Sequence, residues 1–481
     1  MPPLPPNIHR ATILKTLPSW NQQTCSRRDN HTRFLTKRFP VKPSLDTSWV
    51  NPSLPPGVSR LAQPKGSLRQ PHNLIPSSES SSEREWLLIY TAPLQARTSG
   101  APNGSVALAY DADAFAVSYP NNKPGVNSKA LSYLATSGEF NQLYSEVTGG
   151  TNYGQSILLT TKAKGVDHML IVGDPTDGTN AGCAVVYRAN NSGLWEEVTS
   201  LVGNTLENTP GNMLGYSLSI SLFDSINNYW YVANGAPSNG TSLEPFVDVV
   251  ALQVSSETTL LERHYREKGS SFGTSVAISD ILSDTELNSI RIRLAASAPS
   301  AFTPYVEVIE RDGAGIWRKV NTNINSPETT TQFGASVSLS GDGTILAIGD
   351  PDVGKVRIYY DTGSAWTLIG GTALTGQNST SLFGQAVSVN RHASSSSLIG
   401  TTIAIGEPKY SLPTRTECGR VLVMEYLATG WTRVLNSIYG VNENEEFGQS
   451  VVIAPGGEYF VATGGPDIGR TAVYSTLPLD G

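Results

Sequence analysis

The stretch Phe333–Pro351, FGASVSLSGDGTILAIGDP, contains the pattern that decides the fold. Its segment SVSLS alternates small polar and aliphatic residues with a period of two, as a half-buried strand does. Gly341-Asp342-Gly343 then marks a tight turn, and ILAIG is a second strand that returns beside the first. The stretch therefore predicts a β-hairpin framed by an FG dipeptide and a GDP tripeptide.

The same pattern recurs along the chain, and recurrence at a regular period indicates a repeat architecture. Strong copies read FGTSVAIS from Phe272, FGQAVSVN from Phe383 and FGQSVVIAPGGEYFVATGGP from Phe447. SVALAYDADAFAVSYP, from Ser105, keeps the spacing although Pro102-Asn103 replaces its Phe-Gly. With weaker copies included, seven repeats with a mean period of 57.5 residues start at residues 102, 153, 214, 272, 333, 383 and 447.

Each repeat contains two further strands. A third strand such as KVRIYY follows the hairpin, and a fourth opens at a tryptophan, as in AWTLIG. Four antiparallel strands repeated in this way describe a propeller blade, in which converging inner strands need Gly, Ala and Ser. The sequence thus predicts an all-β, seven-bladed β-propeller whose FG phenylalanines pack between neighbouring blades.

Tryptophan spacing predicts how the ring closes. The fourth-strand Trp precedes the next inner-strand Ser by 19 residues in Trp317 to Ser336 and in Trp431 to Ser450, and Trp86 precedes Ser105 by the same 19. EWLLIY around Trp86 is therefore a fourth strand with no preceding three, whereas the seventh copy has three strands and no fourth. We expect the Trp86 strand to pair with Thr471–Thr476, which removes the exposed edges of a linear array.

The first residues differ in composition from the rest. Residues 1 to 78 hold 13 of the 30 prolines and 11 Lys and Arg against Asp29 and Asp46, a net charge of +9, whereas the remainder carries −16. Such a segment is predicted to be disordered. We divide the chain into a Pro-rich basic leader, residues 1–83, and a propeller, residues 84–481. An organelle transit peptide, a linker and a misassigned start remain open for the leader.

Charge and composition also exclude classes of partner. A net-acidic body argues against nucleic acid, whose affinity comes chiefly from clustered Lys and Arg. No apolar run approaches the 18 residues of a transmembrane helix, so we expect a soluble chain and a monomer. Cys25, Cys183 and Cys418 are too few for a disulfide framework and form no C-x-x-C pair.

The Phe-Gly, Gly-Asp-Pro and Gly-Ala-Pro signatures resemble those of FG-GAP repeat propellers, the family that includes the integrin alpha head. The resemblance covers residues 84 to 481 and is closer to the calcium-free repeats of this family. It implies a seven-bladed ring used for adhesion or protein binding, usually outside the cell.

The chain departs from the integrin pattern at the loop between the first two strands, where integrins carry a D-x-D-x-D-G calcium site. In this chain that loop reads SGDGT at 340, LFDSINN at 222 and SDILSDTELNS at 279, with too few carboxylates for calcium. Asp280, Asp284 and Glu286 come closest to a ligand set. We expect no metal and no cofactor.

Three hints of chemistry have structural interpretations. Gly349 to Lys355 approaches a phosphate-binding G-x-x-x-x-G-K, but a strand follows it instead of a helix, so Gly354 is interpreted as a turn residue. The G-x-S serines never complete G-x-S-x-G and are interpreted as repeat positions on the inner strand. The three histidines beyond the leader lie in different blades, have no metal-ligand spacing, and are expected at the surface or at strand ends: His168, His264 and His392.

Ligand binding is expected on one face, which collects the connections from strand two to three and from strand four to the next blade. The longest of these, Glu407 to Glu417, is the preferred contact segment, because its Lys, Tyr and Arg are not dictated by the blade pattern. The candidate binding residues on this face are Asp174, Asp177, Asn239, Tyr305, Asp352, Lys409, Tyr410, Arg415, Asp467 and Arg470.

The leading hypothesis is a non-enzymatic binding or adhesion module that recognises a protein or glycan ligand. An enzyme acting on glycans at the central opening is the competing class, but it needs converging carboxylates, and the inner strands offer mostly Ser, Ala, Val and Gly. An intracellular scaffold that uses the leader for targeting is the third. The sequence leaves the compartment open, although the resemblance favours the cell surface or the extracellular space.

Overall fold

The computed structural model describes residues 85–91, 104–110, 113–120, 128–136, 139–163, 167–177, 181–190, 192–201, 211–238, 242–284, 289–464 and 470–477. The predicted disordered leader lies outside the described residues. Within them the chain forms strands β1 to β33 and the 3-10 helix Pro351–Val353.

Each blade is named by its repeat and has four main strands, ordered from the ring axis outward. Blade 1 consists of β2 (Val106–Leu108), β3 (Ala114–Tyr119), β4 (Ser128–Thr136) and β5 (Glu139–Gln142). Blade 2 consists of β7 (Ile157–Leu159), β8 (Met169–Asp174), β9 (Cys183–Ala189) and β10 (Trp195–Ser200). Blade 3 consists of β11 (Ser217–Ile220), β12 (Tyr229–Ala236), β13 (Phe246–Gln253) and β14 (Thr258–Tyr265).

Blades 4 to 7 follow the same order. They consist of β15 (Val276–Ile278), β17 (Ser289–Ala298), β18 (Tyr305–Arg311) and β19 (Trp317–Lys319); β21 (Ser336–Leu339), β22 (Ile345–Asp350), β23 (Lys355–Asp361) and β24 (Trp366–Leu368); β26 (Ala386–Val389), β27 (Thr402–Glu407), β28 (Arg420–Leu427) and β29 (Gly430–Arg433); and β31 (Ser450–Ile453), β32 (Tyr459–Thr463), β33 (Thr471–Leu477) and β1 (Glu85–Thr91).

Five short strands extend four of these sheets. They pair with second or third strands and are β6 (Val147–Gly149), β16 (Leu282–Asp284), β20 (Ile324–Asn325), β25 (Leu374–Thr375) and β30 (Ile438–Tyr439). The main strands of each blade pair antiparallel. The inner strands touch in cyclic order, and β31 of blade 7 contacts β2 of blade 1. The predicted seven-bladed β-propeller is therefore confirmed.

Strand β1 closes the ring as the tryptophan spacing predicted. It pairs antiparallel with β33, so that Trp86 lies opposite Thr476 and Thr91 opposite Ala472. The Trp86 ring packs edge-on against Phe460 of β32, with a centroid separation of 4.8 Å. The first described strand thus completes the blade formed by the last three.

The FG and GDP glycines of successive blades meet at one contact. Gly384 begins blade 6 with φ of +89°, a left-handed conformation that favours glycine, and its N–H donates to the carbonyl of Gly406 over 3.0 Å. Its own carbonyl lies against Gly349 of blade 5, where any Cβ would overlap it. The hydroxyl of Ser336 donates to that carbonyl over 2.7 Å. Two glycines and one serine therefore join the blades.

The same arrangement recurs between other blades. Ser156 of blade 2 donates to the carbonyl of Gly215 over 2.8 Å, and Ser217 of blade 3 donates to that of Gly273 over 2.8 Å. In blades 4 and 7 the hydroxyl accepts instead, since Ser275 and Ser450 receive backbone N–H bonds from the next inner strand. The interpretation of the G-x-S serines as repeat positions is thereby confirmed.

The FG phenylalanines fill the spaces between blades, as predicted. Phe333 is fully buried in a cluster with Val306 of blade 4 and Leu346 of blade 5. Phe383 packs likewise with Val356 of blade 5 and Ile403 of blade 6. Because protein interiors are close-packed, each phenylalanine side chain fixes the angle between two neighbouring sheets.

Adding a methyl group at the glycine contact should destabilise the ring. In Gly349→Ala, the new Cβ meets the Gly384 carbonyl, a backbone group of the next blade that cannot withdraw without separating the blades, and it displaces the Ser336 hydroxyl from its hydrogen bond. We expect the free energy of unfolding to fall by about 2 to 3 kcal/mol in urea melts. Gly150→Ala is the matched control, since its Cβ meets nothing within 4 Å. Equal stability of the two variants would contradict this account.

Truncating the closing tryptophan tests the seventh blade. Trp86→Ala removes the ring that packs against Phe460, and we expect a loss of about 2 kcal/mol or more in the free energy of unfolding. The control is Leu87→Ala on the same strand, because the Leu87 side chain is 49% exposed and should change stability by less than about 0.5 kcal/mol. An unchanged thermal midpoint for Trp86→Ala would refute closure through β1.

Candidate functional site

One face of the ring carries the connections expected to bind a ligand. Because the four strands of a blade run antiparallel, the links from second to third strand and from fourth strand to the next blade leave at the same end. We call this end the FG face, since the FG dipeptides lie on it. The opposite end carries the hairpins between first and second strands, and we call it the hairpin face.

The longest fully described second-to-third link on the FG face is residues 408 to 419 of blade 6, which we call the 408–419 connection. A small turn forms its tip, where the N–H of Leu412 donates to the carbonyl of Arg415 over 2.9 Å. At its base the N–H of Gly419 donates to the carbonyl of Tyr410 over 3.0 Å. The backbone therefore folds on itself.

Neighbouring segments hold the 408–419 connection on two sides. The N–H of Lys409 donates to the carbonyl of Ser381 at the start of blade 6. On the side of blade 7, Asn444 donates to Thr416 over 2.9 Å and Glu446 donates to Glu417 over 3.0 Å, backbone to backbone. The connection is therefore organised before any ligand arrives, which lowers the entropy lost on binding.

Its three predicted binding residues lie together but have internal partners. The Lys409 ammonium lies 3.6 Å from Glu417 and 3.9 Å from Glu446. The Tyr410 ring lies 3.9 Å beneath the guanidinium of Arg420, and burial raises the pKa of its hydroxyl. Arg415 donates to the carbonyl of Gly440.

Beside these partnered side chains, three others are exposed and project from the connection: Pro413, Thr414 and Thr416. They are the positions from which a ligand could be contacted without breaking the internal bonds of Lys409, Tyr410 and Arg415.

Other predicted residues lie in separate blades. Asp352 belongs to the 3-10 helix of blade 5 and accepts hydrogen bonds from the N–H and hydroxyl of Thr331. Asp174 and Asp177 lie at the start of a connection in blade 2, where burial raises the pKa of the Asp174 carboxyl. Asn239 and Asp467 lie outside the described residues.

Two predicted residues are buried. Arg470 is 5% exposed and its guanidinium pairs with the buried Glu445. Tyr305 is 7% exposed and donates its hydroxyl to Glu267 over 3.3 Å. Both side chains therefore already have a partner within the protein. Of the predicted residues that the structure describes, Lys409, Tyr410 and Arg415 share one connection, and Asp174 and Asp177 share another.

Sequence reasoning missed a layer of ion pairs beneath the FG face. In blades 4 to 7 an arginine pairs with a buried carboxylate and lies over an aromatic ring, which satisfies both charges with little contact to water. The pairs and rings are Arg266 with Glu307 and Phe272, Arg357 with Asp350 and Phe333, Arg420 with Glu407 and Tyr410, and Arg470 with Glu445 and Phe447. The signal was the acid of GDP or GEP, at Asp350 and Glu407, followed by an arginine on the next strand.

Sequence reasoning also assigned no priority to Phe302, in the connection between β17 and β18. Its side chain is 107% exposed on the FG face, three residues before the buried Tyr305. The available signal was a large apolar residue between two prolines, in PSAFTP from residue 299 to residue 304.

The ring axis contains a cavity of about 230 Å³ lined by the inner strands. Its lining consists mainly of serine, threonine and aliphatic residues, with Arg391 at one end. The hydroxyl of Ser338 accepts the N–H of Val389 over 3.0 Å, and that of Ser388 accepts the N–H of Ile453 over 3.1 Å. These hydroxyls are therefore engaged in bonds between blades.

An ion pair joins blades 4 and 6 at the hairpin face. Arg391 of blade 6 pairs with Asp280 of blade 4, and the N–H of Leu222 of blade 3 donates to the same carboxylate over 2.9 Å. Asp280, the nearest approach to a calcium ligand, thus has a structural role. Asp284 contributes backbone to β16, and Glu286 lies outside the described residues.

The remaining motifs also have structural roles. Gly354, with φ of +61°, ends the 3-10 helix and leads into β23, so the interpretation of the G-x-x-x-x-G-K hint as a turn is confirmed.

In the described part of the chain, no group of three His, Cys, Asp or Glu side chains is placed to hold a metal ion. No helix among the described residues is long and apolar enough to span a bilayer.

The buried histidine of β14 makes the stability of the fold depend on pH. His264 is a strand-end residue, as expected, but is only 9% exposed and packs edge-on against Trp317 at 5.0 Å. Burial, reinforced by the positive charge of Arg266 and opposed by Glu307, lowers its pKa to about 4. His168 is likewise buried and His392 is exposed.

No protein-family model matches the chain, and a search of curated proteins finds no match to it.

Acidification should destabilise the protein through His264. Between about pH 6.5 and 4 the unfolded chain binds a proton at this residue that the folded chain does not, so the contribution of His264 to stability rises with pH across this window and does not change above it. We expect wild type to lose up to about 3 kcal/mol relative to His264→Phe between pH 7 and pH 4. Urea melts across this range measure the difference, with His392→Gln as the exposed control. Parallel pH profiles of wild type and His264→Phe would contradict the assignment.

Proposed function

We propose that this protein is a non-enzymatic binding module of the FG-GAP type, which recognises a protein or glycan ligand with the connections of its FG face. The observation that carries the proposal is the 408–419 connection, which neighbouring segments hold in place on two sides while Pro413, Thr414 and Thr416 remain exposed. Rigid scaffolds that present ordered, exposed loops are the usual construction of binding proteins.

The geometry of the signatures supports the FG-GAP assignment. The FG glycine of one blade and the GDP or GAP glycine of the preceding blade form a single contact, as Gly384 with Gly349 and Gly273 with Gly235. The two halves of the motif therefore need each other physically. A chain that only happened to contain scattered Phe-Gly dipeptides would have no reason to place them at this contact.

The chemistry of the axis supports binding over catalysis. A glycan hydrolase of this shape needs two carboxylates that converge on the scissile bond. The described residues lining the cavity supply serines, aliphatic side chains and Arg391, whose charge Asp280 neutralises.

Away from the axis, burial raises the pKa of the Cys183 thiol, which disfavours the thiolate needed for nucleophilic attack.

The test is a binding screen with a variant at the proposed surface. Full-length protein is applied to printed arrays of protein ectodomains and of glycans. Thr414→Arg combined with Thr416→Arg adds two long cations to the 408–419 connection and should abolish the strongest wild-type signal. The matched control carries Ser396→Arg and Ser397→Arg, which are exposed on the hairpin face of the same blade and should bind like wild type.

Two results would refute the proposal. The first is equal binding by both double variants, because the 408–419 connection would then not carry the contact. The second is release of soluble products from the bound glycan during long incubation, which would show an enzyme. Circular dichroism and thermal melting verify that both variants fold.

A further inference from the structure

Phe302 is the outlier among the aromatic side chains of the described residues. It is 107% exposed, whereas the FG phenylalanines Phe272 and Phe333 are 1% and 0% exposed. A phenylalanine ring in water loses the favourable burial that usually accounts for its place in a protein. The FG face therefore presents a free aromatic surface.

The connection that carries Phe302 is short and fixed. Pro299 and Pro304 restrict the backbone on either side of it. The N–H of Ser300 donates to the carbonyl of Ser270 over 3.1 Å, and the N–H of Ser326 donates to that of Pro304 over 2.8 Å. The ring is thus attached to a backbone segment anchored at both ends.

The connection that carries the ring is small and neutral. Ala301 and Thr303 flank Phe302, and the connection, residues 299 to 304, contains Ser300 and no charged side chain. The Ser300 hydroxyl meets that of Ser271 at 3.0 Å, and Asn325, opposite Tyr305 in the sheet, is exposed. Glu267 and Lys268, exposed in the adjoining connection, have opposite signs.

This combination fits a sugar better than a protein pocket. A pyranose ring has an apolar face of C–H groups and an edge of hydroxyls, so an aromatic platform bordered by Ser, Thr and Asn matches both. An aromatic anchor of a protein interface is instead surrounded by contacts that exclude water from it. Short hydroxyl side chains around Phe302 do not form such a seal.

We propose that Phe302 is the stacking platform of a binding site for neutral glycans on the FG face. This inference rests on the proposed function and specifies its ligand. The sugar face lies on the ring, while Thr303 and Asn325 offer hydrogen bonds to hydroxyls at the sugar edge.

The experiment uses full-length protein on an array of neutral oligosaccharides that end in glucose, galactose, mannose or N-acetylglucosamine. The best-bound oligosaccharide is then titrated calorimetrically against wild type and variants. Phe302→Ala should weaken binding at least tenfold, whereas Phe302→Trp, which keeps an aromatic face, should retain it within about threefold. Thermal midpoints should not change, because the ring is exposed.

The control is Ile399→Ala, which removes an apolar side chain that is 59% exposed on the hairpin face. It should bind like wild type. Phe302→Ala with wild-type affinity would overturn the inference, as would binding restricted to sialylated or sulfated glycans.

Failure of this inference is distinguishable from failure of the proposed function. If no neutral glycan binds but a protein ectodomain does, and the Thr414 and Thr416 double variant abolishes that signal, the glycan site is refuted and the binding face stands. If no array probe binds wild type, both are refuted.

Discussion

The close approach of glycine to glycine between blades is the constraint on which the rest of the structure depends. At Gly349 and Gly384 the two backbones lie so close that a Cβ would collide, and the Ser336 hydroxyl uses the remaining space for a hydrogen bond. Because glycine forfeits side-chain packing, the neighbouring phenylalanine supplies the buried area instead. Small and large residues therefore alternate in depth, with glycine and serine near the axis and Phe333 farther out.

This division of labour separates positions that build the ring from positions free to vary. Hydroxyls at the axis are committed to bonds between blades, and the arginines below the FG face are committed to carboxylates. What remains unassigned are side chains on the connections, such as Phe302 and Thr414. A propeller of this kind can change its ligand by changing a few loop residues without altering the contacts that hold its blades.

The fold followed from the sequence because its determinants are local and repeated. The period-two pattern, the turn glycines and the 19-residue spacing to Trp86 each need only nearby residues, and seven copies average out exceptions. The candidate site followed less completely. Whether Arg470 faces solvent depends on Glu445, 25 positions away, and whether Tyr305 or Phe302 is exposed depends on how the connection is pinned to Ser270. Such partners belong to other segments, so the sequence of one loop alone does not predict them.

Pairing of β1 with β33 also has a consequence for how the chain acquires its structure. Trp86 and Thr476 are 390 positions apart, so the seventh blade cannot be completed until the chain has been synthesised through Thr476. Until then β1 lacks β33, its pairing partner, whereas the strands of each of the other six sheets come from contiguous sequence. Association of such distant segments is slow, since the entropy of closing the loop is lost before the contacts form. Among the strand pairings of the described blades, the closure of the ring through β1 and β33 therefore carries the largest loop-closure entropy.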